Sequence, residues 1–344
     1  MPAAINKEIV FAIAPATGKS TIYSLDYHES FEVDIRNPRP VASPGWANYL
    51  LGVLRQFVDR KLTIVPFNCV FGGNIPVGSG LSSSAALECG FGFALQELNK
   101  HQLSRTDMAI IGQWSEHNFV GVRCGIMDQF ANMMGRESHV IQLDCRSMQH
   151  RYFPINLSHH AIILFNSGVK HSLASSEYNV RRAECEEGVH VLARNNSHIK
   201  SLRDASLSDL NTIRSKVSSQ VFDRCHYIIE EIARVQQASG DLQRGDLEAF
   251  GRRMFETHEG LSKLYQVSCE ELDFLVAQVR GKSEVPGARM MGGGFGGCTI
   301  NIVQHHAAND VIDSVKQSYF KRFGIETEVY TMQISDGTGL ISPA

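Results

Sequence analysis

The sequence predicts an α+β protein built from two domains. Its 344 residues exceed the usual size of one domain, at roughly one domain per 150 residues. Strand-like and helix-like segments are mixed without the strict alternation of a doubly wound sheet. We therefore predict an N-terminal domain over 1–160, with a mixed sheet and helices, and a C-terminal α/β sandwich-like domain over 161–344.

Apolar spacing places the elements of the first half. Residues 62–71 are rich in Val, Phe and Ile, which is typical of a buried strand. Residues 85–103 carry apolar side chains at helical spacing and end in a polar Asn-Lys-His stretch. In chain order, we predict strands at 9–14, 20–25, 63–71 and 138–143, and helices at 45–59, 85–99 and 105–119.

The second half opens with a strand and is then mostly helical. The apolar run at 161–167 contains Ile, Leu and Phe in succession, as in a buried strand. Helical spacing recurs at 176–193, 206–216, 221–240, 247–265 and 269–281. Two late strands, at 298–303 and 326–333, flank a helix at 308–323.

Composition excludes several classes of protein. A net charge of −3 gives no reason to expect nucleic acid or an anionic membrane as a partner. Lys7 and Glu8 interrupt what would be the apolar region of a signal peptide. The eight cysteines form no Cys-x-x-Cys pair, which indicates reduced thiols in a cytoplasmic protein rather than disulfides or a zinc site. We expect small-molecule ligands and a monomer.

The most informative stretch is a glycine- and serine-rich loop, Pro76–Ala86, between a predicted strand and a predicted helix. Free N–H groups at a helix start, together with the helix dipole, form an anion site, and a serine hydroxyl can reach magnesium. The loop lacks the Gly-Lys-Ser/Thr of a Walker A motif and the third glycine of a dinucleotide fingerprint. The alternative is a flexible turn before a serine-capped helix.

Two acidic residues, Glu116 and Asp128, lie twelve positions apart after this loop. Asp128 sits in the apolar run Gly125–Ala131, where a carboxylate is costly to bury without a partner or a task. The alternative is a buried aspartate that only accepts hydrogen bonds from backbone amides. The residues alone leave both interpretations open.

Four stretches together resemble one enzyme family. The 76–86 loop is similar to the second signature of the GHMP kinases, and 287–298 resembles their C-terminal glycine-rich motif. Residues 124–130 and 173–182 are similar to galactokinases in particular. The resemblance runs from Pro2 to the Ser-Asp-Gly at 335–337, with the motifs in the expected order.

This resemblance implies the two-domain GHMP kinase fold and ATP-dependent phosphorylation of galactose at its anomeric hydroxyl, giving galactose 1-phosphate and ADP. ATP and Mg²⁺ are the implied cofactors. Asp128 matches the catalytic aspartate, as base or only as the group that orients the hydroxyl. Glu116 matches the magnesium-binding glutamate, and Ser84, with Ser83 as the alternative, the magnesium-binding serine.

The resemblance also implies the binding residues. Trp46 matches a position that contacts adenine, although it could equally be a core residue. Tyr178 matches a galactose-contacting tyrosine, or else packs at a domain interface. The implied nucleotide-binding residues are Trp46, Pro76, Gly78, Ser79, Gly80, Leu81, Ser82, Ser83 and Ser84, and the implied substrate-binding residues are Gly125, Asp128 and Tyr178. We expect Arg181 and Arg182 to form structural ion pairs.

One departure concerns the first signature of galactokinases, Gly-Arg-x-Asn-Leu-x-Gly-Glu-His-x-Asp-Tyr. These 344 residues contain no such segment, so the first strand, a transition-state arginine and several sugar ligands have no counterpart, and we expect this chain to be poorly stable and poorly active. Two alternatives therefore stay open. One is a GHMP kinase for N-acetylgalactosamine or arabinose, and the other is a catalytically silent sugar-binding or regulatory protein.

Overall fold

The structure is a computed structural model that describes residues 1–76, 80–169 and 174–341. Its strands are β1 (Ile9–Pro15), β2 (Ser20–Ser24), β3 (Glu29–Val33), β4 (Phe67–Gly73), β5 (His139–Leu143), β6 (His150–Pro154), β7 (His160–Asn166), β8 (Gly287–Met290), β9 (Cys298–Gln304) and β10 (Val329–Met332). Its α-helices are α1 (Ala47–Asp59), α2 (Ser83–Asn99), α3 (Arg105–Ser115), α4 (Met127–Met134), α5 (Ala174–Asn195), α6 (Leu207–Asn211), α7 (Ser219–Gln243), α8 (Leu247–Gly260), α9 (Glu270–Val279) and α10 (Ala308–Phe323). Single π-helical turns follow α3 at Glu116–Val120 and α8 at Leu261–Tyr265.

The described residues form two compact units. Unit 1 contains 1–76, 81–152 and 333–341, and unit 2 contains residue 80 with 153–169 and 174–332. The predicted domains, 1–160 and 161–344, stay a prediction. The units differ from them in one respect, because the segment 333–341 returns to unit 1.

Unit 1 is built on a mixed four-stranded sheet with the strand order β1-β4-β2-β3. β4 runs antiparallel to β1 and parallel to β2. Helix α2 lies directly on this sheet, since an ideal Cβ at Gly90 would stand 2.6 Å from the ring of Phe11 on β1. Leu50 and Leu54 of α1 and Phe91 of α2 are fully buried in the same core. The sheet therefore fixes α2, whose first turn follows the glycine–serine loop.

The segment 333–341 packs onto the C-terminal end of α4. Ile334 forms a β-bridge with Ile5, and the amide of Gly337 donates to the carbonyl of Gly135 at 3.0 Å. The Arg105 guanidinium donates to the carbonyl of Thr338 at 2.8 Å. These contacts anchor the far end of the helix that carries Asp128.

Unit 2 contains a four-stranded sheet with the order β10-β7-β9-β8, in which each neighbouring pair is antiparallel. Ile163 and Phe165 on β7 are fully buried against Val276 on α9 and Tyr319 on α10. Within the described residues, none of the helices combines the length and apolar content that crossing a membrane requires.

The α+β fold class and most predicted elements are confirmed, with several boundary differences. The strand predicted at 63–71 begins only at Phe67, since Pro66 has no amide hydrogen to donate to a sheet ladder. The helix predicted at 206–216 ends at Asn211, where the Thr212 hydroxyl donates back to the Asp209 carbonyl at 2.7 Å. Strands β3, β6 and β8 and helix α4 are not predicted by the sequence patterns.

Candidate active site

The glycine–serine loop enters α2 in an unusual backbone conformation. Gly78 and Ser79, both predicted to bind nucleotide, lie outside the described residues. Gly80 has a φ of +78°, and Ser82, at the N-cap of α2, has a φ of +54°. A left-handed conformation is uncommon for a residue with a Cβ and occurs often at functional sites.

The Ser82 side chain does not cap α2. Its hydroxyl instead donates to Oδ2 of Asp128 at 2.6 Å. Within the described part of the chain, no side chain takes over the cap, so the first-turn N–H groups of α2 have no side-chain acceptor. Leu81 and Ser83 beside them are half-buried. Uncapped N–H groups at the positive end of a helix dipole can bind phosphate oxygens.

Asp128 lies in the first turn of α4, an element that the sequence analysis did not predict. The carboxyl is half-buried, and burial raises its pKa, although the Ser82 hydrogen bond opposes this effect. A carboxylate with a raised pKa is a better proton acceptor than a solvated one. Next to it, Gly125 is exposed, with open space around the position of a Cβ.

Glu116 begins the π-helical turn that follows α3, and it is 8% exposed. The Ser84 hydroxyl donates to it, 3.3 Å from Oε1 and 3.5 Å from Oε2. Such π-helical turns often mark functional sites. The two residues predicted to bind magnesium, 32 positions apart, are therefore brought together.

Two more side chains reach the Glu116 carboxylate. Nε2 of Gln129 lies 2.9 Å from Oε2, and the Cys124 thiol lies 3.4 Å from the same oxygen. Burial raises the pKa of Glu116, while the hydrogen bonds from Cys124, Ser84 and Gln129 lower it in part. A cation next to this carboxylate would favour its charged form.

Glu88 lies deeper along α2 and is fully buried. Gln129 also donates to its Oε2, at 3.1 Å. Burial and the nearby Glu116 raise the pKa of Glu88 to about 10. Neither Glu88 nor Gln129 was predicted from the sequence. The signal that could have identified Glu88 is a glutamate four positions after Ser84 in an apolar helix.

For Trp46, the structure favours the alternative of a core residue over a contact with adenine. It is 8% exposed, packs edge-on against Phe71 and Phe31, and donates its indole N–H to Glu29 at 3.0 Å. These contacts describe a core residue at the start of α1. Its predicted contact with adenine stays a prediction.

Tyr178 lies in unit 2, on α5, and is half-buried. An ideal Cβ at Gly293, in the C-terminal glycine-rich motif, would stand 3.8 Å from its ring. In the same motif, Gly294 has a φ of +88°, and a Cβ there would meet the Val267 carbonyl oxygen at 2.1 Å, so only glycine fits. A Cβ on Gly292 would stand 3.6 Å from the carbonyl oxygen of Gly80.

The two arginines after Tyr178 have the structural role that the sequence predicts. Arg181 donates to the backbone carbonyls of Tyr265 and Gln266, at 3.0 Å and 2.9 Å, and lies 3.5 Å from Glu177. Arg182 pairs with Glu186 at 2.9 Å on an exposed surface. Both arginines brace α5.

Oxygen atoms dominate the donor set around α2. Ser84 and Glu116 offer a hydroxyl and a carboxylate, which are hard ligands of the kind that Mg²⁺ prefers. No group of three or more His, Cys, Asp or Glu side chains with metal-binding geometry occurs among the described residues. A metal held here would need further oxygen ligands from a bound phosphate or from water, as is usual for Mg²⁺.

Comparison with known families gives two matches. The profile described as "GHMP kinases N terminal domain" matches residues 48–136, and the one described as "GHMP kinases C terminal" matches residues 238–321. The first match contains Ser84, Glu116 and Asp128.

Galactokinases are similar to this chain over most of its length. The galactokinase of Thermotoga petrophila is 36% identical over 337 residues, which cover 98% of this chain and 92% of that protein. The human galactokinase is 40% identical over 299 residues, which cover 87% of this chain and 74% of that protein.

Solved structures agree with the sequence comparison. The crystal structure of Lactococcus lactis galactokinase complexed with galactose matches with a TM-score of 0.91 and 29% identity, covering 97% of this chain and 87% of that one. The mevalonate kinase of Methanococcus jannaschii matches with a TM-score of 0.62 at 16% identity, covering 97% of this chain and 90% of that one, which shows a shared fold only.

Proposed function

This chain belongs to the galactokinase family of the GHMP kinases, and from that premise we propose that it transfers the γ-phosphoryl group of ATP to the anomeric hydroxyl of galactose. The products are galactose 1-phosphate and ADP. The observation that carries the proposal is the pair of contacts at the start of α2, Ser82 to Asp128 and Ser84 to Glu116. They bring a candidate base and a candidate metal ligand to one helix N-terminus.

Nucleotide binding follows from the first turn of α2. Phosphoryl transfer depends mostly on positioning and on stabilising charge. The uncapped N–H groups of the turn bind phosphate oxygens, and the helix dipole favours their negative charge. We assign Ser83 and the preceding loop, from Pro76 to Ser82, to the same phosphate contacts.

Ser84 and Glu116 are the residues that would hold magnesium. Bound there, the ion would supply positive charge that offsets the negative charge of the phosphoryl group being transferred. Ser84 orients the Glu116 carboxylate, and burial at 8% exposure keeps competing water away from it. Their oxygen chemistry fits this ion, and Ser83 remains the alternative to Ser84.

Asp128 acts on the sugar hydroxyl. Ser82 occupies its Oδ2, and its Oδ1 can accept the anomeric O–H. As the new bond forms between the anomeric oxygen and the γ-phosphorus, the bond from that phosphorus to the β–γ bridging oxygen breaks. Asp128 accepts the proton or orients the hydroxyl that releases it, and its raised pKa suits either role. Gly125 and Tyr178 are the proposed further sugar contacts.

We also propose a cytoplasmic location and a monomeric enzyme. All eight cysteines are free thiols, and four of them are buried, which suits a reducing compartment. The net charge of −3 supports small-molecule partners over nucleic acid.

The test is a phosphorylation assay of the purified chain with ATP, Mg²⁺ and each of galactose, N-acetylgalactosamine and arabinose. Phosphorus NMR identifies the phosphorylated position. We expect galactose 1-phosphate as the preferred product. Preference for another of the three sugars would reassign the substrate. Galactose binding by calorimetry without ADP formation would instead identify a silent sugar-binding protein.

A further inference from the structure

A ring of polar side chains includes both candidate metal ligands and extends from them into the buried core. This polar ring consists of Ser84, Glu88, Gln129 and Glu116. Ser84 and Glu88 are four residues apart on α2, so they share one face of the helix. Ser84 contacts Glu116 directly at 3.3 Å, and Glu88 reaches it through Gln129, whose Nε2 lies 3.1 Å from Glu88 and 2.9 Å from Glu116.

Two atoms of the polar ring have no hydrogen-bond donor in the described structure. They are Oε1 of Glu88 and Oε1 of Gln129, on side chains that are 0% and 1% exposed. Leaving a buried acceptor unsatisfied is costly. A proton on Glu88 supplies the missing donor, because an acid and an amide can pair through two hydrogen bonds. Its pKa of about 10 agrees with a neutral carboxyl.

The orientation of the Gln129 amide is fixed from two sides. Its N–H₂ group donates to both carboxyls, and the reversed orientation would turn the amide carbonyl toward the Glu116 carboxylate, which has no proton to donate when it binds a metal. Packing limits the rest of the side chain, since an ideal Cβ at Gly112 on α3 would stand 3.1 Å from Gln129 Cγ. The amide therefore presents a fixed donor to Glu116.

We propose that Gln129 and Glu88 are positioning residues of the phosphoryl-transfer site: Gln129 holds the Glu116 carboxylate where it can bind magnesium, and Glu88 holds the Gln129 amide. The proposal rests on the proposed function. Gln129 also directly follows Asp128 on α4, so the polar ring ties the helix of the candidate base to the helix of the phosphate loop.

Direct metal binding gives the first test. The probe is Mn²⁺, measured by electron paramagnetic resonance in the presence of a non-hydrolysable ATP analogue. We expect Gln129→Met to weaken Mn²⁺ binding about 10- to 100-fold, the loss typical of an outer-shell partner. Glu88→Met should weaken it less, and Glu88→Gln should leave it unchanged, because a neutral amide can form the same two hydrogen bonds.

Two further measurements separate positioning from plain structural support. In the activity assay, Gln129→Met should need more Mg²⁺ to reach full turnover, while its KM for galactose stays the same. The infrared band of a protonated carboxyl should be present in the wild type and absent in Glu88→Gln. Gln96→Met is the matched control on α2, because Gln96 accepts the Leu103 amide at 2.9 Å and should affect melting temperature without affecting Mn²⁺ binding.

These experiments distinguish a failure of the positioning proposal from a failure of the proposed function. Wild-type Mn²⁺ binding in Gln129→Met, or equal damage in Glu88→Gln and Glu88→Met, overturns the positioning proposal. If Gln129→Met does not fold, the two Glu88 variants decide the question. If the wild type binds Mn²⁺ with the analogue but phosphorylates no sugar, the proposed function fails and the positioning stands. A wild type that binds no Mn²⁺ under these conditions overturns the positioning.

Discussion

The two units of this chain differ in whether their buried charged side chains have a partner of opposite charge. In unit 1, Glu88, Glu116 and Asp128 pair with no lysine or arginine among the described residues, and burial raises the pKa of each. In unit 2, Arg224 is 1% exposed and pairs with Glu184 at 3.1 Å. Buried pairs are common scaffold elements, whereas a buried acid without a cation persists where it has a task. The contrast distinguishes the candidate site in unit 1 from a structural ion-pair network in unit 2.

In the unit 2 network, each of the three guanidinium nitrogens of the arginine donates a hydrogen bond. Arg224 on α7 donates to Glu184, to Gln266 Oε1 at 2.7 Å and to the Leu264 carbonyl. A second network surrounds Asp273, which accepts hydrogen bonds from Ser262 and Ser268 at 2.7 Å and 2.5 Å. These contacts fasten helices to turns, and no substrate is needed to complete them.

The largest expected effect is on catalysis in unit 1. Asp128→Asn should lower turnover about 10²- to 10⁴-fold, the usual contribution of a positioned acid or base, because the amide cannot accept the proton. Binding of an ATP analogue should persist, since α2 and Glu116 are untouched. Steady-state kinetics and calorimetry measure the two. Near-normal turnover would remove Asp128 from its proposed role.

The largest effect on stability should come from unit 2. Arg224→Met removes three hydrogen bonds at a buried position and leaves the Leu264 carbonyl without this donor, while Glu184 keeps its ion pair with Arg181 at 3.7 Å. It should lower the free energy of unfolding by about 1–3 kcal/mol. The control is Arg182→Met, because that arginine pairs at 2.9 Å on the surface with 52% of its side chain exposed. We expect the control to cost less than about 0.5 kcal/mol in urea unfolding. Equal losses in the two variants would contradict the scaffold role of Arg224.

The two proposed metal ligands, Glu116 and Ser84, should differ in how strongly their loss changes the Mg²⁺ dependence of activity. Glu116→Ala should raise the Mg²⁺ concentration for half-maximal activity by at least about 10- to 100-fold, because the loss of a ligand should exceed that of an outer-shell partner. Ser84→Ala should raise it less, since a carboxylate supplies a full charge and a hydroxyl only a dipole. Titrating activity against Mg²⁺ tests both, and unchanged curves would exclude this metal site.

The pH dependence of stability should carry the signature of Glu88. Its pKa rises from an ordinary 4.5 to about 10, so the folded chain keeps a proton that the unfolded chain releases. Stability then falls as the pH rises between these values, by up to about 1.4 kcal/mol per pH unit. The Glu88→Gln variant should lack this slope. In urea unfolding, its free energy of unfolding relative to that of the wild type should therefore increase from pH 6 to pH 8. Parallel profiles would mean that Glu88 is ionised in the folded state.

The smallest expected effect is the pH dependence of stability that Asp273 causes, and its direction is opposite to that of Glu88. Burial raises the pKa of Asp273, but hydrogen bonds from His258, Ser268 and Ser262 outweigh it and lower the pKa to about 2. The resulting stabilisation is present above pH 4 and is lost as the pH falls through 2. With 38% of the side chain exposed, screening reduces it to about 1 kcal/mol. The stability gap between wild type and Asp273→Asn should therefore close from pH 5 to pH 2, and a constant gap would contradict this account.

Local sequence patterns predicted the elements that position the site. Apolar spacing predicted a helix at 85–99, and α2 begins two residues earlier at Ser83. Chemistry singled out Asp128 because a charge is conspicuous in an apolar run. The pairing of Ser84 with Glu116 did not follow from spacing. It came from the family resemblance, because contacts across 32 residues depend on tertiary packing.

The elements that escaped prediction lack strong local signals. Helix α4 has only eight residues, too few for a clear helical period, and it follows a glycine-bounded turn. Strand β3 alternates polar and apolar residues but contains Glu29 and Glu32, and glutamate is uncommon in strands. Glu88 and Gln129 meet only because α2 and α4 pack together, which no single helix encodes.

Because segment 333–341 packs in unit 1, some contacts of unit 1 can form only late in translation. Arg105 and Thr338, which bond at the end of α4, are 233 residues apart. A ribosome adding about 5–20 residues per second needs roughly 10–50 s to cover that distance. Residues 153–332 of unit 2 are translated in this interval, while Gly135 still lacks the Gly337 amide that will bond to it. The far end of the helix that carries Asp128 is therefore secured only after residues 153–332 have been synthesised.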